Sequence, residues 1–293
     1  MSRRGGSQSR LASHSMINDI LVCLEGSASS EAATRISIAI GRELGSRLSG
    51  LAIVDEPDIR SGTAVGIGAA AYKHERDDAL VADAHEHATA WLALFERRCR
   101  EAQVAARSLE VVGRPAASIL QRMAESDLTV IGRDANFHFE TEPEDPGTRD
   151  QLLRGGTRPI LLAPEGAETL GRTVLLAYDG SGAAKRAIES FAASGLAAAR
   201  QLHVVTVDDD GAKAWDMAVR GVAILRSVGL DATAHNVVST LSNADAIFEL
   251  GRELEAGLIV MGAFARSRLT YLFHHSAMRG LIEKSAVPLY LQA

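Results

Sequence analysis

The chain repeats itself. The stretch NDILVCLEGSASSEAATRISIAIG, residues 18–41, is echoed by GRTVLLAYDGSGAAKRAIESFAAS, residues 171–194, so that Glu25-Gly26-Ser27 corresponds to Asp179-Gly180-Ser181. Further along, SDLTVIGR parallels AGLIVMGA and TRPILLAP parallels AVPLYLQA. Repetition of this kind means two copies of one fold. It limits the chain to architectures that about half of 293 residues can complete. The join falls in the short stretch Pro164–Thr169, which predicts a tail at 1–16, a first domain over 17–164 and a second over 169–293.

Each copy alternates short apolar runs with longer helical patterns. In the first, Ile20–Leu24 and Leu51–Val54 read as strands flanking a helix in which Ala33, Ile36, Ile40 and Leu44 recur at helical spacing. The glycine-rich stretch Asp55–Ala71 reads as a loop or covering flap, Asp77–Val104 as a helix and Val104–Val112 as extended. A helix to Glu125 and strands at Leu128–Ile131 and Ile160–Ala163 follow. The second copy repeats the order, with strands at Val174–Ala177, Leu202–Val207, Ala232–Val238, Leu258–Met261 and Val287–Leu291. Strands alternating with helices imply right-handed crossovers and parallel pairing. Aromatics make up only 4% of residues against 46% hydrophobic overall, so the cores must be built from Ala, Val, Leu and Ile, which suits parallel strands covered on both faces. Five strands per copy are too few for an eight-stranded parallel barrel with outer helices. The expected class is α/β, with two tandem open five-stranded parallel sheets bearing helices on both faces.

Charge and motifs exclude several functions. A net charge of −6 and a pI near 5.9 do not provide the basic surface that nucleic acid requires. The basic start, Arg3, Arg4 and Arg10, lies in a Ser- and Gly-rich segment without an apolar core and reads as a disordered tail rather than a signal peptide. No run of 18 apolar residues exists, so a soluble, cytoplasmic protein without membrane contact is expected. Cys23 and Cys99, each in apolar surroundings, read as buried thiols. There is no phosphate-loop lysine motif, and Gly66-Ile67-Gly68 lacks the third glycine and the strand–helix context of a dinucleotide loop. His85 and His87 do not share a helix face, and His274-His275 lack partners at zinc-like spacing, so no metal site is expected.

In an open doubly wound sheet, ligands bind beyond the carboxyl ends of the strands, where strand order reverses. Two places qualify. Glu25 and Asp179 each follow the first strand of their copy. Each is positioned either to contact a ribose or adenine group or, with the serine that follows, to cap the next helix. The loop after the fourth strand is the other. In the second copy it holds Gly262, Arg266, Ser267, Arg268 and, before the next helix, His274, His275 and Ser276, a set able to hold phosphate. Its Phe264, Leu269, Tyr271, Leu272 and Phe273 equally suit a packing surface. In the first copy the loop carries Glu140, Glu142, Glu144 and Asp145, which repel a triphosphate.

These residues and their order resemble the universal stress protein family in its tandem two-domain form, from about Ile17 to Ala293. The likeness is strongest in VLLAYDGSGAAKRAI and LIVMGAFARSRLTYLFHHSAMRGLIEKSAVPLYL. The resemblance implies an adenine nucleotide alpha hydrolase-like sheet, with pairing of the two halves inside one chain. The ATP-binding class of that family carries a loop of glycine, two residues, glycine, nine residues, glycine, then serine or threonine. Carried over, that loop falls on Gly262, Ala265, His275 and Ser276, with Asp179 as the acid after the first strand; two of its three glycines are replaced. In the first copy it falls on Gly132, Ala135 and Asp145, and a shift in spacing brings Gly147-Thr148 to the glycine–hydroxyl position.

The function expected on this basis is a non-enzymatic stress-response protein acting by regulation or interaction, with degenerate nucleotide loops. The alternative is an adenine-nucleotide switch with ATP held in the second domain by Asp179, Gly262, Ala265, Arg266, Ser267, His275 and Ser276. A slow ATP hydrolase is a further reading, though no general base is singled out. The last strands of the two copies, Ile160–Ala163 and Leu289–Gln292, are the expected pairing elements. A homodimer of the whole chain and protein partners are left open.

Overall fold

The computed structural model describes residues 16–61, 70–137, 147–239, 242–263 and 282–292. The first copy runs β1 (Asp19–Leu24), α1 (Ala28–Leu44), β2 (Arg47–Val54), α2 (Glu56–Ser61), α3 (Ala70–Glu101), β3 (Ala106–Val112), α4 (Pro115–Met123), β4 (Leu128–Gly132), α5 (Thr148–Gly155) and β5 (Ile160–Ala163). The second runs β6 (Thr173–Ala177), α6 (Gly182–Ala193), β7 (Gln201–Asp208), α7 (Gly211–Ser227), β8 (Thr233–Val238), α8 (Asn243–Glu253), β9 (Leu258–Gly262) and β10 (Leu289–Gln292).

The strands do not form two separate sheets. They line up as one sheet in the order β3-β2-β1-β4-β5-β10-β9-β6-β7-β8. Within each copy every pairing is parallel; at the centre β5 and β10 pair antiparallel, with Tyr290 opposite Leu161. Two expected five-stranded sheets thus become a single mixed sheet of ten. The strands that meet, ILLA and LYLQ, are buried along their whole length and expose no apolar edge once paired.

Two layers of helix cover this sheet, and each core crosses the seam. On one face α1, α3, α6 and α7 enclose a cluster that includes Ile36, Phe95, Leu161, Phe191 and Tyr290. On the other, α4, α5 and α8 cover Leu21, Ile131, Leu162, Ile259 and Leu291. Tyr290 is fully buried at the seam, edge-on to Phe191 with ring centroids 5.4 Å apart, and its hydroxyl lies 2.8 Å from Ser190 Oγ. Polar ties join the copies as well. Arg200 grips both carboxylate oxygens of Glu43 at 2.6 and 2.7 Å, and the Ile17 N–H donates to the Ser194 carbonyl at 3.2 Å.

Most expected elements fall within a few residues of their places. Two helices were not expected. α2 buries only Ile59, so it leaves no helical period to read. Ion pairing of Arg60 with Glu56 and Asp78 holds it against α3, at 2.6 and 2.9 Å. α5, sequence TRDQLLRG, buries Thr148, Leu152 and Leu153 in eight residues. Cys23 and Cys99 are free buried thiols, and burial raises both pKa values, that of Cys99 to about 11. No described helix is long and apolar enough to cross a membrane.

A core shared across the seam predicts cooperative loss of both copies. Scanning calorimetry should show one transition with equal calorimetric and van't Hoff enthalpies; two resolved transitions would mean that the copies unfold separately. Tyr290→Ala should cost about 3–5 kcal/mol in denaturant unfolding, the usual loss for a large aromatic removed from a core.

Candidate functional site

Strand order reverses between β1 and β4, and again between β6 and β9. The carboxyl ends of these strands create two crevices. Because β5 and β10 run antiparallel, the crevices open at opposite ends of the strands, one above and one below the sheet's long axis.

Both crevices are built on the same seat. The last residue of β4 is Gly132 and that of β9 is Gly262. A methyl at Gly132 would sit 2.8 Å from the Ser29 carbonyl carbon and the Ser30 nitrogen in the first turn of α1. At Gly262 it would sit 2.5 Å from the Ala183 carbonyl carbon and the Ala184 nitrogen in the first turn of α6. Only a glycine lets the strand end press against helical backbone this closely. The turn before each helix is also duplicated. Gly26 and Gly180 have φ of 81° and 77°, which suits glycine, and the next helix toward the sheet edge packs a side chain on each: Trp91 on Gly26 and Met217 on Gly180.

In the second copy Asp179 is exposed, and its Oδ1 accepts the Ser181 N–H at 2.9 Å; Ser181 Oγ accepts the Ala184 N–H at 3.1 Å. The capping geometry is therefore present, with Asp179 still at the crevice mouth beside Gly262. Ala265, Arg266, Ser267, His275 and Ser276 lie outside the described residues, as do Gly66-Gly68 and the acidic run at 140–145.

The first crevice is filled by its own polar side chains. Ser27 donates its hydroxyl to Glu25, accepts the Ser30 N–H at 3.1 Å as the cap of α1, and lies 3.0 Å from Ser29 Oγ. Ser29 Oγ in turn accepts the Asp134 N–H at 3.4 Å. Burial raises the Glu25 pKa above the ordinary carboxylate range, against the Ser27 hydroxyl and the Ser27 and Asn136 N–H groups, which lower it; the nearby Asp134 carboxylate adds to the rise. Arg133 grips Asp134 at 2.8 Å and reaches the Ser285 carbonyl in the second copy at 2.7 Å. α5 begins with Gly147 as its N-cap and Thr148 buried behind it, so the shifted glycine–hydroxyl pair stands at a helix N-terminus. Beside it, Arg149 Nη1 donates to the Arg133 carbonyl at 3.2 Å. The cavity beside Gly26 and Trp91, between α1 and α3, holds about 140 Å³, well under the roughly 300 Å³ at which small-molecule sites begin.

Sequence reading found both crevices but not their contents. Nothing local in the sequence links Trp91 to Gly26, or Ser29 to Gly132, because these contacts depend on helix placement. Among the described residues no group of three or more His, Cys, Asp and Glu converges as a metal site.

The universal stress protein family model matches residues 171–291. The chain is 24% identical over 164 residues to the universal stress protein Slr1230 of Synechocystis, an overlap of 55% of this chain and 56% of that protein; it thus spans little more than half the length of this curated relative. Among solved structures it superposes on a universal stress protein of Archaeoglobus fulgidus with a TM-score of 0.71, 18% identity and coverage of 94% and 96% of the two chains. On a functionally unknown protein of Pseudomonas aeruginosa PAO1 the TM-score is 0.54, with 17% identity and coverage of 96% and 94%.

The raised Glu25 pKa has a thermodynamic consequence. The folded state holds this proton more tightly than the unfolded chain does, so ionising Glu25 lowers stability as pH rises through the carboxylate range. Glu25→Gln should therefore raise the melting temperature at about pH 7 and leave it nearly unchanged near pH 3.5. An equal shift at both pH values would show that ionisation of this carboxyl does not oppose folding. Gly262→Ala should destabilise by about 1–3 kcal/mol, the usual overpacking cost, read by denaturant titration.

Proposed function

Because residues 171–291 belong to the universal stress protein family and the first copy repeats the same fold, we propose that this chain is a stress-response protein that works by regulation or interaction and does not turn over a substrate. The observation that carries this reading is the pair of carboxylates, Glu25 and Asp134, in the first crevice. Both are already engaged within the chain, Asp134 by the Arg133 guanidinium at 2.8 Å and Glu25 by the Ser27 hydroxyl, so neither they nor Arg133 are left to receive a nucleotide. The loop glycines replaced by Ala135, Ala265 and His275 point the same way.

Family members that pair as dimers do so between chains, whereas here β5 and β10 pair within one chain. In this reading, partners meet the outer helices and crevice mouths rather than the central strands. A cytoplasmic location suits the role, and no metal or nucleotide is required for it.

A second reading rests on the second crevice, where Asp179 is exposed beside the Gly262 seat and the first turn of α6. Here ATP would be held by Asp179, Gly262, Ala265, Arg266, Ser267, His275 and Ser276, making the chain a nucleotide-dependent switch with one competent half. Arg266 would neutralise phosphate and Ser276 would donate its hydroxyl.

One experiment separates the two. The protein is purified without added ligand and denatured, and released small molecules are identified by mass spectrometry; native protein is then titrated with ATP and magnesium by calorimetry. No released nucleotide and no heat are expected. A stoichiometric adenine nucleotide, rebound with micromolar affinity and weakened at least tenfold by Arg266→Glu, would overturn the scaffold reading in favour of the switch.

A further inference from the structure

Nine histidines are scattered along the sequence, and two that are 32 residues apart meet across the sheet. His203 lies on β7 and His235 on the edge strand β8. The register pairs Val205 with His235, so His203 is its diagonal neighbour and points to the same face. Parallel strands bring such neighbours within reach of long side chains. His203 Nδ1 and His235 Nε2 are 2.9 Å apart, with ring centroids at 5.1 Å and planes tilted by 40°.

We propose that His203 and His235 form a two-histidine binding site for a late first-row transition-metal dication, with preference for Cu(II). The argument is geometric. Two imidazole nitrogens about 2.0 Å from a metal and at right angles around it lie about 2.9 Å apart, whereas a tetrahedral pair lies about 3.3 Å apart. The two nitrogens, now a hydrogen bond apart, therefore need little net separation to take the cis positions of a tetragonal ion once the rings have turned. A tetrahedral ion requires the rings to separate by about 0.4 Å. Copper also binds nitrogen ligands most tightly in the divalent series.

The present hydrogen bond aims the two nitrogens at each other. Rotation about χ2, a soft torsion in histidine, turns both lone pairs toward a common point. The proton now between the rings moves to the far nitrogen of its own imidazole, so metal entry requires no net change in charge on the protein. In a neutral imidazole the nitrogen without a proton is the one that ligates. Both are partly exposed beside the sheet edge, and water can reach the remaining positions. Among the described residues no third protein ligand joins them, which sets the affinity in the range of a two-ligand site rather than that of a closed structural centre.

The test is a Cu(II) titration of the full chain by calorimetry, together with electron paramagnetic resonance at one equivalent. One equivalent is expected to bind ahead of any other, at the modest affinity of a two-ligand site, with coupling to two equatorial nitrogens. His203→Gln and His235→Gln should each weaken it at least tenfold, the double variant should weaken it at least as much as either single, and His274→Gln/His275→Gln should retain it. Ni(II) and Zn(II) should bind in the same place more weakly. Affinity unchanged in both single variants, or loss of this first equivalent in the His274/His275 variant, would place the metal elsewhere and overturn the proposal. So would a wild-type spectrum without two-nitrogen coupling, a readout that does not depend on any variant folding.

Discussion

The antiparallel contact of β5 with β10 is the constraint on which the rest of the architecture depends. Each is a four-residue strand of a parallel five-stranded set, and each is buried along its whole length. Left as an edge, such a strand exposes unpaired backbone and apolar side chains together. Pairing the two removes both edges at once and fuses the helical layers above and below, so that Tyr290 and Leu161 belong to one core. The edges that remain, β3 and β8, differ in kind. β3 presents Arg107 and Glu110, whereas β8 carries no charged residue and places His235 near its centre.

The seam also determines what the crevices can do. Each opens at its own end of the strands, so no single small ligand spans both, and the two have been free to diverge on a common seat. The seat itself is preserved in both copies: a terminal strand glycine against the first helical turn, and a left-handed glycine under a side chain from the outer helix. What differs is the filling. Trp91, Ser29, Glu25 and Asp134 occupy the first crevice with a large ring, a hydroxyl network and two acids. At the positions of Trp91, Ser29 and Glu25 the second has Met217, Ala183 and Asp179, which replace the ring and the hydroxyl by apolar side chains and leave the acid exposed.

The parts of this fold that can be read from sequence are those with the strongest local physics. Central strands such as LLA in β6 or TVIG in β4 are covered on both faces and appear as continuous apolar runs. Repetition then gives the order of elements without any measurement of contact. The edge strand β3 is polar in its middle because one side of it is solvent, and α2 and α5 bury too few side chains to impose a period. The crevices could be located from the turn after β1 and the glycine after β4. Their chemistry could not, because Trp91 meets Gly26 and His203 meets His235 only through packing and register.

Position and content come together in the ties between each crevice and the opposite copy. Arg133, one residue past the Gly132 seat, donates to the carbonyl of Ser285, and Ser285 in turn donates its hydroxyl to the Val287 carbonyl just before β10. At the other crevice the Ala263 N–H, one residue past the Gly262 seat, donates to the Gln292 carbonyl in β10, while the Gln292 amide reaches the Thr157 carbonyl just before β5. A loop that moved to admit a ligand in either crevice would thus pull on the turn leading into the other copy's last strand, and through it on the seam. The strand end at each crevice is thus tied by hydrogen bonds to the residues that lead into the opposite copy's last strand, and the seam joins the two crevices as well as the two cores.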